Sequence, residues 1–280
     1  MRTPPPPTWE TDGYGSDLVE RFEGDELDRS RWLPYHLPHW SSRSRAAARY
    51  AVGGGRLELR IDADQDPWCP EWDGGTRVSS VQTGLVAGPL GSSSGQHRFV
   101  PAAVVREEQP ELRLYTPHLG LLEVAARAEI DERAMVAFWL IGLEDEPERS
   151  AEICVAEIFG RDVHDGSAAI GMGVHPFGDP SLTDDFAAVR LPLDISEVHT
   201  HGVRWEHDRV AFYVDRHLVR VVERAPDYPV QLMLGIYDFV ADKPPGAAGS
   251  ATGGRERSRY PQRFTVEHVL GHRPLRGGHP

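Results

Sequence analysis

Short apolar runs with a period of two, each closed by Gly, Pro or Asp, recur along this 280-residue sequence and leave room for little but a layered β fold. Leu122, Val124, Ala126, Ala128 and Ile130 alternate with Glu123, Arg127 and Glu129, the pattern of a strand with one face in a core. Residues 203–205, the polar 206–209 and 210–215 read as a hairpin. Further strands are expected at 56–61, 78–82, 137–141, 169–175, 218–222, 231–239 and 264–270. Long helical periodicity is absent, and 46–49 is too short to make a helix. With 28 Gly and 23 Pro to turn the chain, the pattern predicts an all-β, two-sheet antiparallel sandwich.

The length favours one large domain, expected over 16–272. Residues 1–15 hold a run of four prolines and are expected to be a disordered tail, as are 273–280. The Gly-, Ala-, Pro- and Arg-rich stretch 241–262 is expected to be a long mobile loop. The formal net charge of −13 argues against gripping nucleic acid or an anionic membrane. Two cysteines, Cys69 and Cys154, exclude a disulfide scaffold and a four-cysteine zinc site. No apolar run approaches a membrane span. The start shows no charged segment followed by an apolar one, so the sequence as it stands reads as cytoplasmic, and a monomer is expected.

The stretch 152–159, Glu-Ile-Cys-Val-Ala-Glu-Ile-Phe, carries the chemistry. On a helix, residues five apart lie about 140° round the axis, so Glu152 and Glu157 would diverge. On a regular strand they would face opposite ways, and one carboxylate would be driven towards the apolar side. A single β-bulge between them returns Glu157 to the face of Glu152 and Cys154 and leaves Ile153, Val155 and Ile158 for the core. Two carboxylates on one sheet face suit glycoside hydrolysis, one attacking the anomeric carbon while the other protonates the leaving oxygen. Their proximity raises the pKa of the acid.

The stretch resembles the E-x-D-x-x-E signature of glycoside hydrolase family 16, and other segments match in the family's order. Gly54 to Leu59 resembles a family strand, as do Gly120 to Arg127 and Ala137-Phe138-Trp139-Leu140. His199-Thr200, Val203-Arg204-Trp205, Phe212-Tyr213-Val214-Asp215 and Val266 to Val269 are similar to later ones, and Phe22 to Trp32 to the family's N-terminal segment. The resemblance implies a concanavalin A-like jelly roll with a cleft on its concave sheet, and retaining, endo-acting cleavage of β-glucans and related polysaccharides. It implies Glu152 as nucleophile and Glu157 as general acid/base.

Four departures stand out. Cys154 replaces the motif Asp, which in the family hydrogen-bonds the nucleophile. A neutral thiol is a weak donor and supplies no charged partner, so slower turnover or a shifted pH optimum is expected. Met135-Val136 stands where the family has Trp-Pro, and Glu123-Val124-Ala125 has lost an Arg. Glu267 replaces the closing Asp, which weakens the case for the structural calcium of many members; no other cofactor is expected.

Trp139, on the face of Met135 and Ala137, is a candidate sugar platform or a packed core Trp. Trp68 and Trp72 flank Cys69 in a loop and read as a cleft rim or as loop packing. Trp40, near His36 and His39, and Asp238, beside Tyr237, are further candidates for substrate binding. His175 stands where the family has a cleft His and is a candidate hydrogen-bonder. His199 and His201 share a strand face, but two ligands are too few for a metal centre. The run 144–148 reads as a solvated loop. The expected function is therefore a retaining endo-glycosidase on β-1,3- or mixed-linkage β-glucan. A transglycosylase or a non-catalytic carbohydrate-binding protein on the same fold are the alternatives.

Overall fold

The computed structural model describes residues 8–239 and 259–275. In chain order its strands are β1 (Tyr14–Glu20), β2 (Arg49–Val52), β3 (Leu57–Ile61), β4 (Thr76–Gln82), β5 (Gly84–Leu85), β6 (Leu112–Arg113), β7 (Gly120–Glu129), β8 (Ala134–Gly142), β9 (Glu152–Phe159), β10 (Val163–His164), β11 (Ser167–His175), β12 (Asp185–Leu191), β13 (His199–Trp205), β14 (Val210–Val214), β15 (His217–Val222), β16 (Val230–Phe239) and β17 (Gln262–Pro274). Apart from the short β5-β6 pair, they form two antiparallel sheets, the sandwich expected from the alternation and the jelly roll that the resemblance implied. One sheet runs β15-β14-β13-β7-β17-β3-β2, with β1 also on β17. The other runs β10-β11-β9-β8-β16-β4, with β12 also on β11.

Alternation decides which side chains enter the core. From β7, Leu122, Val124, Ala126 and Ala128 point between the sheets, where they meet Val136, Phe138 and Leu140 of β8 and Leu232, Leu234 and Ile236 of β16. Each such fully buried aliphatic or aromatic side chain contributes on the order of 1.5–3 kcal/mol before chain entropy is set against it. The opposite residues of β8 and β16, namely Met135, Ala137, Trp139, Ile141, Met233 and Tyr237, form a second cluster on the outer face of the second sheet. Loops cover this face and bring Leu37, Trp40, Trp68, Ala103 and Val105 to it. Both faces of β8 are therefore buried along its whole length.

Three expectations change at the edges. The N-terminal tail ends earlier than residue 15, because β1 pairs with β17 from Tyr14↔Pro274 onwards and Trp9 packs its ring 5.1 Å from that of Tyr213. The C-terminal strand accordingly runs past 272. Of the loop expected at 241–262, residues 241–258 lie outside the described residues, and Gln262 already belongs to β17. Strand β12 was not read from the sequence; it is a half-exposed outer strand without clean alternation.

Candidate active site

The bulge expected in β9 is present. Against β8, Ala137 pairs with Glu157, Phe138 with Ala156, and Trp139 with Cys154, so the register slips at Val155. Against β11, Gly171 pairs with Glu157, Gly173 with Cys154, and His175 with Glu152. Ile153, Val155, Ala156 and Ile158 enter the inter-sheet core. Glu152, Cys154 and Glu157 share the outer face, with carboxylate oxygens and thiol all within 4.8 Å of one another.

Burial sets the charge states. Desolvation, then the neighbouring Glu157, holds the Glu152 carboxyl well above the usual carboxylate range. Glu157 is also raised by desolvation, opposed by His175 and by the Trp139 indole N–H, which donates to Glu157 Oε1 at 3.2 Å. Two buried like charges this close hold a proton between them. Desolvation and both carboxylates push the Cys154 thiol far up, so it is a neutral group, and it lies 3.7 Å from the Gly171 carbonyl. A thiolate nucleophile finds no support here.

A cleft of about 500 Å³ opens over the pair. Of the residues singled out in the sequence, Trp139, Trp68, Trp72 and His175 line it together with both acids. Trp139 serves Glu157 as a hydrogen-bond donor and is mostly buried against Tyr237, so it is no open platform. Trp68 donates to Asp73 Oδ2 at 2.6 Å, and Arg106 lies over the Trp72 ring. His175 Nδ1 meets Asp184 Oδ1 at 2.6 Å while the ring stacks on Phe186.

Two candidates fall elsewhere. Trp40 is fully buried beneath the cleft wall, its indole N–H spent on the Gln96 carbonyl at 2.8 Å. Asp238 does not reach the cleft. Strand alternation sends Tyr237 and Phe239 to it instead, and Asp238 is buried against the Tyr260 hydroxyl (2.6 Å), Arg133 and Arg77. Glu267 is exposed and joins no group of three His, Cys, Asp or Glu side chains among the described residues. His199 is engaged by Asp215 at 2.7 Å.

Other cleft residues went unread. The connection between β5 and β6, residues 86–111, delivers His97, Phe99 and Val100 to the cleft, and the loop after β11 delivers Phe177. Phe177 is 58% exposed. A lone aromatic beside Pro176 and Gly178 was its only sequence signal; His97 had none.

The run 144–148 is not simply solvated. Glu144 is half-buried, accepts the backbone N–H of His97, and is pushed up to about 7 by desolvation. A folded value above the ordinary 4.5 means that its favourable contribution is complete below about 4.5 and is lost as pH rises through 7. Glu144→Gln is expected to match the wild type in urea denaturation at pH 4 and to be about 2 kcal/mol more stable at pH 8. A difference independent of pH would show that its ionisation is not involved.

Paired acids in an aromatic cleft on a two-sheet sandwich are an arrangement that glycoside hydrolysis can use. Residues 116–252, just under half of the chain and including both acids, match the model of Glycosyl hydrolases family 16, the family that the sequence motifs resemble. No curated protein sequence matches the chain. Among solved structures, a GlcNAcα1-4Gal-releasing endo-β-galactosidase from Clostridium perfringens superposes with a TM-score of 0.79 at 25% identity, over 98% of this chain and 66% of that one. This chain therefore spans slightly less than two thirds of that protein. The catalytic domain of an endo-1,3-β-glucanase (laminarinase) from Thermotoga petrophila RKU-1 gives a TM-score of 0.62 at 16% identity, over 93% of this chain and 98% of that one. At that identity the likeness is one of fold.

Proposed function

We propose that this chain is a retaining, endo-acting glycoside hydrolase in which Glu152 is the nucleophile and Glu157 the general acid/base. The observation that carries the reading is the bulge, which puts both carboxylates on one face within 4.8 Å. That separation supports direct attack better than the roughly 6.5–9.5 Å that an interposed water requires. In the first step a Glu152 oxygen attacks the anomeric carbon while Glu157 gives its proton to the departing glycosidic oxygen. Glu157 then takes a proton from water, which attacks the same carbon and releases Glu152. A sugar hydroxyl in place of that water makes the product a new glycoside.

Internal β-galactosidic bonds are the favoured target, on the strength of the greater likeness to the endo-β-galactosidase in both identity and superposition. β-1,3- or mixed-linkage β-glucan is the second reading, supported by the sequence motifs. The test is a time course of oligosaccharide release from galactose-containing glycans, β-1,3-glucan, mixed-linkage glucan and xyloglucan, with Glu152→Gln as control. Release on one polymer, lost in the variant, supports the hydrolase and names its substrate. Binding without release would instead favour the carbohydrate-binding alternative.

A pH profile adds a second check. Protonating Glu152 removes the nucleophile, and burial raises its pKa, so activity is expected to fall on the acid side from a pH above the ordinary 4.5. An acid limb at or below that value would contradict the buried-nucleophile assignment.

A further inference from the structure

Among the described residues, no donor lies within hydrogen-bond distance of the Glu152 carboxylate. Its neighbours are accounted for one by one. The Cys154 thiol points to the Gly171 carbonyl, the Tyr237 hydroxyl to Met233 Sδ at 3.7 Å, and His175 Nδ1 to Asp184. Glu157 is itself an acid. Among the described residues, His97 Nδ1 is buried, has no hydrogen-bond partner, and lies 3.7 Å from Glu152 Oε2. A buried nitrogen without a partner is costly, and here it sits beside the carboxylate of Glu152, which lines the cleft.

We propose that His97 is the positioning residue of the nucleophile, its Nδ1–H turned onto Glu152 Oε2 to supply the hydrogen bond that Cys154 cannot give. The inference rests on reading Glu152 as the nucleophile. A separation of 3.7 Å is about half an ångström too long for the bond, and contacts of this kind tighten when substrate expels water from the site. The ring is built in rather than loosely placed. It stacks on Trp139, meets Phe177 edge-on at 5.1 Å, and its backbone N–H is held by Glu144. His97 also adopts a left-handed backbone, φ 52°, which a non-glycine residue adopts at some cost. Desolvation lowers its pKa to about 4, so the imidazole is neutral at working pH and carries a single N–H.

The two ring nitrogens can be tested separately in the full chain. Asn places an amide nitrogen near the Nδ1 position, Gln places one near Nε2, and Phe keeps the ring without either. The probes are 2,4-dinitrophenyl glycosides of GlcNAcα1-4Gal and of laminaribiose, with their 2-deoxy-2-fluoro analogues for covalent labelling. His97→Phe is expected to lower kcat roughly 10- to 100-fold with KM little changed, and to move the acid limb of the profile up by about one pH unit. His97→Asn should recover most of that loss and His97→Gln should not, a comparison that stands even if the Phe variant folds poorly. Wild-type rates and an unmoved acid limb in His97→Phe, or equal recovery by Gln and Asn, would overturn the assignment while labelling at Glu152 upheld the nucleophile. Wild-type labelling at another residue, or nowhere, would take both down.

Discussion

Glu152→Gln is expected to lower kcat by at least about 10⁴-fold on every substrate, because no other group can form the glycosyl ester. Glu157→Gln should behave differently. Its loss should be comparable on natural polymers, whose leaving alcohols need a proton, and small in the first step on dinitrophenyl glycosides, whose leaving group needs none. The second step still lacks its base, so the glycosyl-enzyme should accumulate, and azide, which needs no deprotonation, should release it. The contrast follows from the bulge, which sets two chemically identical side chains on one face with different neighbours. Glu157 has the Trp139 N–H and His175, and Glu152 faces Cys154 and His97. Equal losses in both variants on activated and natural substrates would remove the division of labour between them.

Gly173→Ala is expected to damage the strand that carries the site. A Cβ there would stand 2.2 Å from the Asp185 carbonyl oxygen and 2.6 Å from Phe186 Cα, both backbone atoms of β12. Arg220 bonds the Met172 and Asp185 carbonyls at 2.7 and 2.9 Å and holds the two strands at that spacing. Relief therefore requires β12 to move away from β11, whose other edge pairs Gly173 with Cys154 and Gly171 with Glu157. The cost should be roughly 3–5 kcal/mol, about a 10 °C fall in Tm, with activity reduced at temperatures where the protein is still folded. Gly53→Ala is the control. Nothing lies within 4 Å of its Cβ position, so it should be neutral within about 1 kcal/mol. A Gly173→Ala protein as stable as that control would mean that β12 adjusts freely.

The strands, their inward faces and the bulge were legible because each is a local property. Alternation at Leu122, Val124 and Ala126 sends those side chains to the core wherever the strand lies, and a five-residue separation of Glu152 and Glu157 leaves one extra residue to be absorbed. Where local reading failed, the deciding contact came from a distant segment. Trp40 looked like a cleft aromatic, but the Gln96 carbonyl claims its indole from 56 residues away. Asp238 shared a strand with a true cleft residue, and the sheet's own alternation with Tyr260 behind it turned it inward. Glu144 sat in an acidic run, and the tertiary fold half-buries it and brings the His97 backbone N–H to it.

The sequence by itself therefore determined the sandwich, the identity of the two acids and the face they share, since period and spacing act along one strand. Tertiary structure alone decided what surrounds them: the Trp139 donor to Glu157, the His97 ring beside Glu152, and the aromatic walls carried by the loops. Those loops have no period to announce where their side chains will point. Their conformation is set by burial against a sheet that exists only once strands far apart in the chain have paired.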